Sequence, residues 1–229
     1  GWPSAGRMRE GALPSPVNQA RVVQDVLALS KREKFNVNII EAFDQPWKRA
    51  LEGTVGGHWG LFDAATRAPK FAGARAVSNH PLWIWQGAGG IIFAVIVFVA
   101  AMRVRTKDTS PWLWLAVSAN AFVGGVLIGW TVENIPIESL GVGGWSHSLA
   151  LAAVAIVAPI VLSAATMCGT PVPAYFRILG PKKERMQNRL AVSAGLVLIL
   201  TMLLAFVVAL ALVFDPRYRD FPFAPLTAA

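Results

Sequence analysis

Residues 35–62 read FNVNIIEAFDQPWKRALEGTVGGHWGLF, and the choice of fold turns on this stretch. Its first six residues, Phe35-Asn36-Val37-Asn38-Ile39-Ile40, carry β-branched side chains and end apolar, which predicts a strand. Glu41 follows at once, then Asp44, Gln45, Trp47, Lys48, Glu52, His58 and Trp59 within a glycine-rich run. A carboxylate at a strand end, followed by aromatics and a lysine, suits a sugar held at the C-terminal end of a barrel strand.

Upstream, residues 17–34 (VNQARVVQDVLALSKREK) have the spacing of an amphipathic helix. Val22, Val23, Val26, Leu27 and Leu29 make its apolar stripe, Asn18 is placed to cap its start, and its basic end suits the helix dipole. Residues 1–16 hold three prolines and three glycines, which exclude a long helix. Loop, helix, strand and polar loop together make the last part of a βα repeat. The expected fold class is therefore α/β followed by an all-α membrane region, with the N-terminal part a C-terminal piece of a (β/α)8 barrel.

Downstream the character of the chain changes. The whole is 55% hydrophobic and only 15% charged, against about a quarter charged in ordinary soluble domains. The apolar excess falls into four runs, 82–102, 112–131, 146–167 and 190–214, each near the roughly 20 residues that cross a bilayer. Trp83, Trp85, Trp112, Trp114, Trp130 and Trp145 mark their ends, as an interfacial aromatic belt does. The expected organisation is 1–65 as the barrel piece, 66–81 as a linker, 82–214 as the membrane domain and 215–229 as a tail.

The net charge of +8 is explained by topology, without invoking nucleic acid. Arg103, Arg105 and Lys107 follow the first span, and Arg177, Lys182, Lys183, Arg185 and Arg189 follow the third. The connection 132–138 between spans two and three has no Lys or Arg. The positive-inside rule puts both basic loops in the cytoplasm and residues 1–80 outside. Cys168 stands alone, so no intrachain disulfide can form. The segment Gly125–Gly129 is a GxxxG, a pattern that lets helices approach closely. Ser118 and Asn120 lie in mid-span, where interhelical hydrogen bonding is the expected role. The spans lack a deep ionisable residue, which argues against an ion-coupled transporter.

Three motifs carry a resemblance. Gly1-Trp2-Pro3-Ser4-Ala5-Gly6, Glu41-Ala42-Phe43-Asp44-Gln45-Pro46-Trp47-Lys48 and Trp59-Gly60-Leu61-Phe62 are similar, in order and spacing, to segments of glycoside hydrolase family 17, the β-1,3-glucanase family. With four spans behind it, the chain resembles bacterial membrane proteins of β-(1,3)/(1,6)-glucan synthesis. The resemblance implies a retaining mechanism with two glutamates, a nucleophile and an acid/base. The nucleophile is expected just before Gly1 and the acid far upstream, so no catalytic residue is expected within this chain, which is read as a fragment of a longer protein. The substrate-binding residues it implies are Trp2, Glu41, Asp44, Gln45, Trp47 and Lys48. Gln45 stands where the family often has a glutamate, and an amide cannot titrate. Trp59 is read as aromatic packing and His58 as structural.

The implied function is a membrane-bound glycosidase or transglycosylase acting on β-glucan, in the inner membrane with its N-terminal domain facing the periplasm. The partners expected are a β-glucan oligosaccharide or polysaccharide, the lipid bilayer, and a glucan synthase or exporter. No cofactor, metal or nucleic acid is expected. A non-catalytic anchor or assembly module for a glucan synthase is the main alternative, and a small transporter a weaker one.

Overall fold

The computed structural model describes residues 1–8, 11–71, 76–106, 109–170, 178–181 and 188–214. Lys107, Arg177, Lys182, Lys183 and Arg185 of the basic loops lie outside these residues, as does the 215–229 tail. The chain forms two compact units. One gathers Gly1–Pro81 and Pro136–Trp145; the other holds Leu82–Ile135 and Ser146–Ala211.

The first helix, α1, runs Pro16–Glu33. Its cap is Ser15, whose hydroxyl accepts the Asn18 N–H at 3.1 Å; Asn18 instead donates its amide to Leu13 O. Proline at the first helical position has no N–H to leave unsatisfied, so the cap falls on the residue before it. Lys34 closes the helix in the left-handed conformation, its N–H returning to Ser30 O.

The expected barrel piece is not there. Residues 35–40 have no regular secondary structure, and among the described residues they form no strand. A strand needs a neighbour for its N–H and C=O groups, and this one β-branched run finds none. Ile40 stands 78% exposed. The contacts that replace a sheet centre on Phe62. Its N–H donates to Ala42 O at 2.9 Å, and its carbonyl accepts the Asp44 N–H at 3.0 Å. Isolated bridges join Phe62 to Phe43 on one side and to Pro69 on the other. The polar loop folds into a short 3-10 turn, Pro46–Lys48, that leads into α2, Arg49–Glu52.

Four helices are long and apolar enough to cross a membrane: α3 (Trp83–Val104), α4 (Pro111–Glu138), α5 (Gly141–Met167) and α6 (Arg189–Phe214). The four expected spans are all present. The polar stretch 132–138, expected as a loop, continues α4. Its polar groups find partners along the way: Gln86 donates to Glu133, and Asn134 donates to Trp130 O. The GxxxG meets α3 at glycine. A Cβ on Gly125 would lie 2.5 Å from Gly90 Cα, and one on Gly129 would lie 3.1 Å from Gln86 Cα. At Gly125 a side chain has no room between the backbones, and at Gly129 the neighbour would have to give by a few tenths of an ångström. Asn120 reaches Ser163 of α5 at 3.4 Å, a hydrogen bond between spans. Val97, Ala101, Val117, Ala121 and Met167 pack together as the buried cluster of this unit.

Candidate functional site

The three motifs of the N-terminal unit fold onto one another. Ser4 donates its N–H to His58 O at 2.9 Å, and Arg7 its N–H to Thr54 Oγ1 at 3.0 Å. Gly60 runs so close to Phe43 and Asp44 that a Cβ there would collide with their backbone. Residues 1–7, 41–48 and 54–62 therefore form one wall, with α1 alongside.

This wall encloses a cleft of about 310 Å³. Gly1, Trp2 and Trp59 line one part of it, Val22, Val23 and Val26 of α1 another, and Val37–Glu41 a third; Gln19 and Leu61 complete it. Trp2 is fixed by its indole N–H, which donates to Leu13 O at 2.9 Å. Trp59 is fixed the same way, donating to Glu52 Oε2 at 3.0 Å. Both rings thus reach the cleft with their polar edges already satisfied. Glu41 also lines it, in the left-handed conformation, φ 67°, which few non-glycine residues adopt. Lys48 donates to Glu41 Oε1, and both side chains are mostly buried.

Of the six residues expected to bind substrate, the structure brings two to the cleft, Trp2 and Glu41. Lys48 acts on it through Glu41. Trp47 is 62% exposed and lies under the Lys48 ammonium at 5.8 Å from its ring centre. Gln45 leads into the 3-10 turn without capping it. Asp44 points inward instead. Its Oδ1 accepts the Gly60 N–H at 2.9 Å and the Lys70 ammonium at 2.6 Å. Burial pushes the Asp44 carboxyl up and the Lys70 ammonium down, each toward its neutral form, and their mutual contact works against both shifts. Lys70 also donates to Ser4 Oγ at 2.6 Å.

His58 is held neutral. Burial lowers it from 6.5 to about 4, helped by the positive charges of Lys70 and Arg49. Its Nδ1 lies 3.9 Å from Asp44 Oδ2. Asp63 is held below its ordinary value by the Thr66 N–H and hydroxyl that bind it. Among the described residues no three His, Cys, Asp or Glu side chains converge as a metal site requires.

Two residues that matter here were not picked out as site residues from the sequence. Lys70 lies in a Pro, Ala and Arg stretch without periodicity, and nothing local marks it. Gln19 was legible: it stands at position i of the i, i+3, i+4, i+7 pattern that Val22, Val23 and Val26 complete, a polar group on an apolar stripe. It is 1% exposed.

Arg49 ties the polar loop to α4. One guanidinium nitrogen donates to the carbonyls of Pro136, Ile137 and Ser139 at 3.1, 2.8 and 2.9 Å. These are the carbonyls that a helix end leaves without intrahelical partners, and a cation there also suits the helix dipole. Burial lowers the Arg49 pKa, with Arg7 adding to the effect.

Compared with known proteins, the chain is 34% identical over 67 residues to the glucan 1,3-beta-glucosidase of Saccharomyces cerevisiae. The match covers 28% of this chain and 21% of that protein, so the chain spans about a fifth of the relative's length. No family model and no solved structure matches.

Proposed function

We propose that this chain belongs to a membrane-bound, glucan-active enzyme, a glycosidase or transglycosylase related to glycoside hydrolase family 17, and that its N-terminal unit builds part of the saccharide site. The observation that carries the reading is the cleft itself. Two tryptophan rings, an aliphatic helix face and one carboxylate meet there, which is what a pyranose with apolar faces and a hydroxyl edge needs. The partial similarity to a glucan glucosidase points to the same substrate class, and four membrane-length helices supply the anchor.

In this reading Trp2 and Trp59 flank the sugar, Glu41 accepts hydroxyls, and the Lys48 contact holds the Glu41 side chain in place. The chemistry is retaining: one glutamate attacks the anomeric carbon while another protonates the leaving oxygen, the two roughly 5 Å apart. Water releases the glycosyl group in hydrolysis and a sugar hydroxyl takes it in transfer. The membrane is the inner one, with the N-terminal unit outside. A reporter active only outside the cytoplasm, fused at Lys107, then stays inactive.

One observation favours a second reading, glucan binding without cleavage. Glu41 is the one carboxylate among the residues lining the cleft, whereas retaining hydrolysis needs two. Incubating the full-length protein with laminari-oligosaccharides separates the cases. Longer products mean transfer, shorter ones alone mean hydrolysis, and saturable binding with unchanged substrate means the second reading. No binding at all overturns both.

A further inference from the structure

We infer that Arg49 is a positioning residue for the cleft. It seats the turn Pro46–Glu52 on the α4–α5 connection, and the turn sets two of the residues that line the cleft, Glu41 and Trp59. The inference rests on the glucan reading above and adds to it a residue that acts on the saccharide site from outside its lining.

Three side chains of this short turn reach away from it. Lys48 donates to Glu41 Oε1, and Glu52 Oε2 accepts the Trp59 indole N–H at 3.0 Å. Both partners line the cleft. Between these two positions Arg49 donates to the carbonyls of Pro136, Ile137 and Ser139. The Lys48 and Glu41 side chains are only 19% and 13% exposed, so salt screens their contact little. All of these residues belong to one compact unit.

The turn has no room to shift alone. A Cβ on Gly56 would lie 2.6 Å from Lys48 O, and one on Gly57 would lie 2.8 Å from Arg49 Cγ. Segments packed this closely pass a displacement on instead of absorbing it. At the far end of the chain of contacts, Glu41 holds a left-handed backbone, φ 67°. A non-glycine residue keeps that conformation only where its surroundings hold it, and Lys48 supplies one such hold. Coupling between linked sites is reciprocal. If the grip of Arg49 favours the arrangement that takes up saccharide, bound saccharide tightens the grip.

Hydrogen exchange of the full chain in detergent, with and without saturating laminaritriose, tests it. Bound saccharide is expected to slow exchange at the amides of residues 137–145 by about fivefold or more, the low end of coupling between linked sites. The surface turn at 64–67, where Asp63 holds the Ala65 and Thr66 N–H groups, lies outside this chain of contacts and is expected to exchange as before. Calorimetric titration gives a second measurement: Arg49→Met is expected to bind laminaritriose about fivefold or more weakly, and Arg49→Lys to recover part of the loss. If laminaritriose binds while residues 137–145 exchange unchanged, or if residues 64–67 slow equally, the inference is overturned and the glucan reading stands. Arg49→Met binding as tightly as the unmutated chain overturns it as well. The exchange comparison needs no variant, so its result holds even if Arg49→Met does not fold. If laminaritriose does not bind at all, the glucan reading fails and this inference with it.

Discussion

Lys70 donates to Asp44 at 2.6 Å across 26 residues of chain, and the side chains are only 11% and 6% exposed. The same ammonium reaches Ser4 Oγ and His58 O. One cation thus joins the chain's first residues, the polar loop and the run ahead of Phe62. Removing one member of a buried pair leaves an uncompensated charge, which costs about 3–5 kcal/mol. Lys70→Met is expected to lower stability by that amount, and adding Asp44→Leu to recover part of it. Thermal melts of the two variants in the same detergent check this. Equal melting of Lys70→Met and the unmutated chain would show the pair to be idle.

His58 sets an acid limit. Its folded value of about 4 lies below the ordinary 6.5. Between these pH values the unfolded chain binds a proton that the folded chain does not, so stability drops as pH falls. This contribution is complete above pH 6.5 and lost progressively down to about 4. Its total is about 3 kcal/mol. Chemical denaturation between pH 4 and 7 should show that slope, and His58→Gln should flatten it.

Gly125, at the α3–α4 contact, and its neighbour Gly124 are expected to respond to the same change by very different amounts. A methyl at Gly125 meets Gly90 backbone at 2.5–2.9 Å, whereas one at Gly124 meets the Pro159 ring at 3.4 Å, an ordinary contact. Gly125→Ala is expected to destabilise the helix pair by about 1–3 kcal/mol, and Gly124→Ala by much less. The yield of monodisperse protein after heating separates the two.

Arg49 offers a test of donor number. Lysine keeps the charge but not the planar fork. Arg49→Met is expected to cost about 1–3 kcal/mol through the carbonyls it abandons, and Arg49→Lys to recover part of that. Hydrogen exchange at the amides of residues 137–145 should rise most for Arg49→Met and less for Arg49→Lys.

Much of the membrane part was legible because hydropathy and length decide it: each of the four apolar runs became a helix. The end of α4 was not, because Glu133 and Asn134 read as loop until Gln86 and Trp130 O are seen to satisfy them. Residues 35–40 have strand composition, but a strand is a property of two segments, and composition shows one. At the candidate site, the sequence does not record which of the named residues turn to the cleft. Glu41 and Trp2 face the cleft, while Asp44 turns to Gly60 and Lys70. Which way Asp44 turns depends on partners 16 and 26 residues away, and no local pattern records that.

The grip of Arg49 on Pro136, Ile137 and Ser139 changes what cutting the chain would do. The path of the backbone passes between the two units at 81/82, again at 135/136 and again at 145/146. A single proteolytic nick between residues 76 and 81 removes the first of these passages and leaves residues 1–71 with no covalent link to the spans. One guanidinium on three carbonyls still holds them to the stretch beginning at Pro136. Nicked protein is therefore expected to migrate as one particle in a native gel and as two bands once denatured.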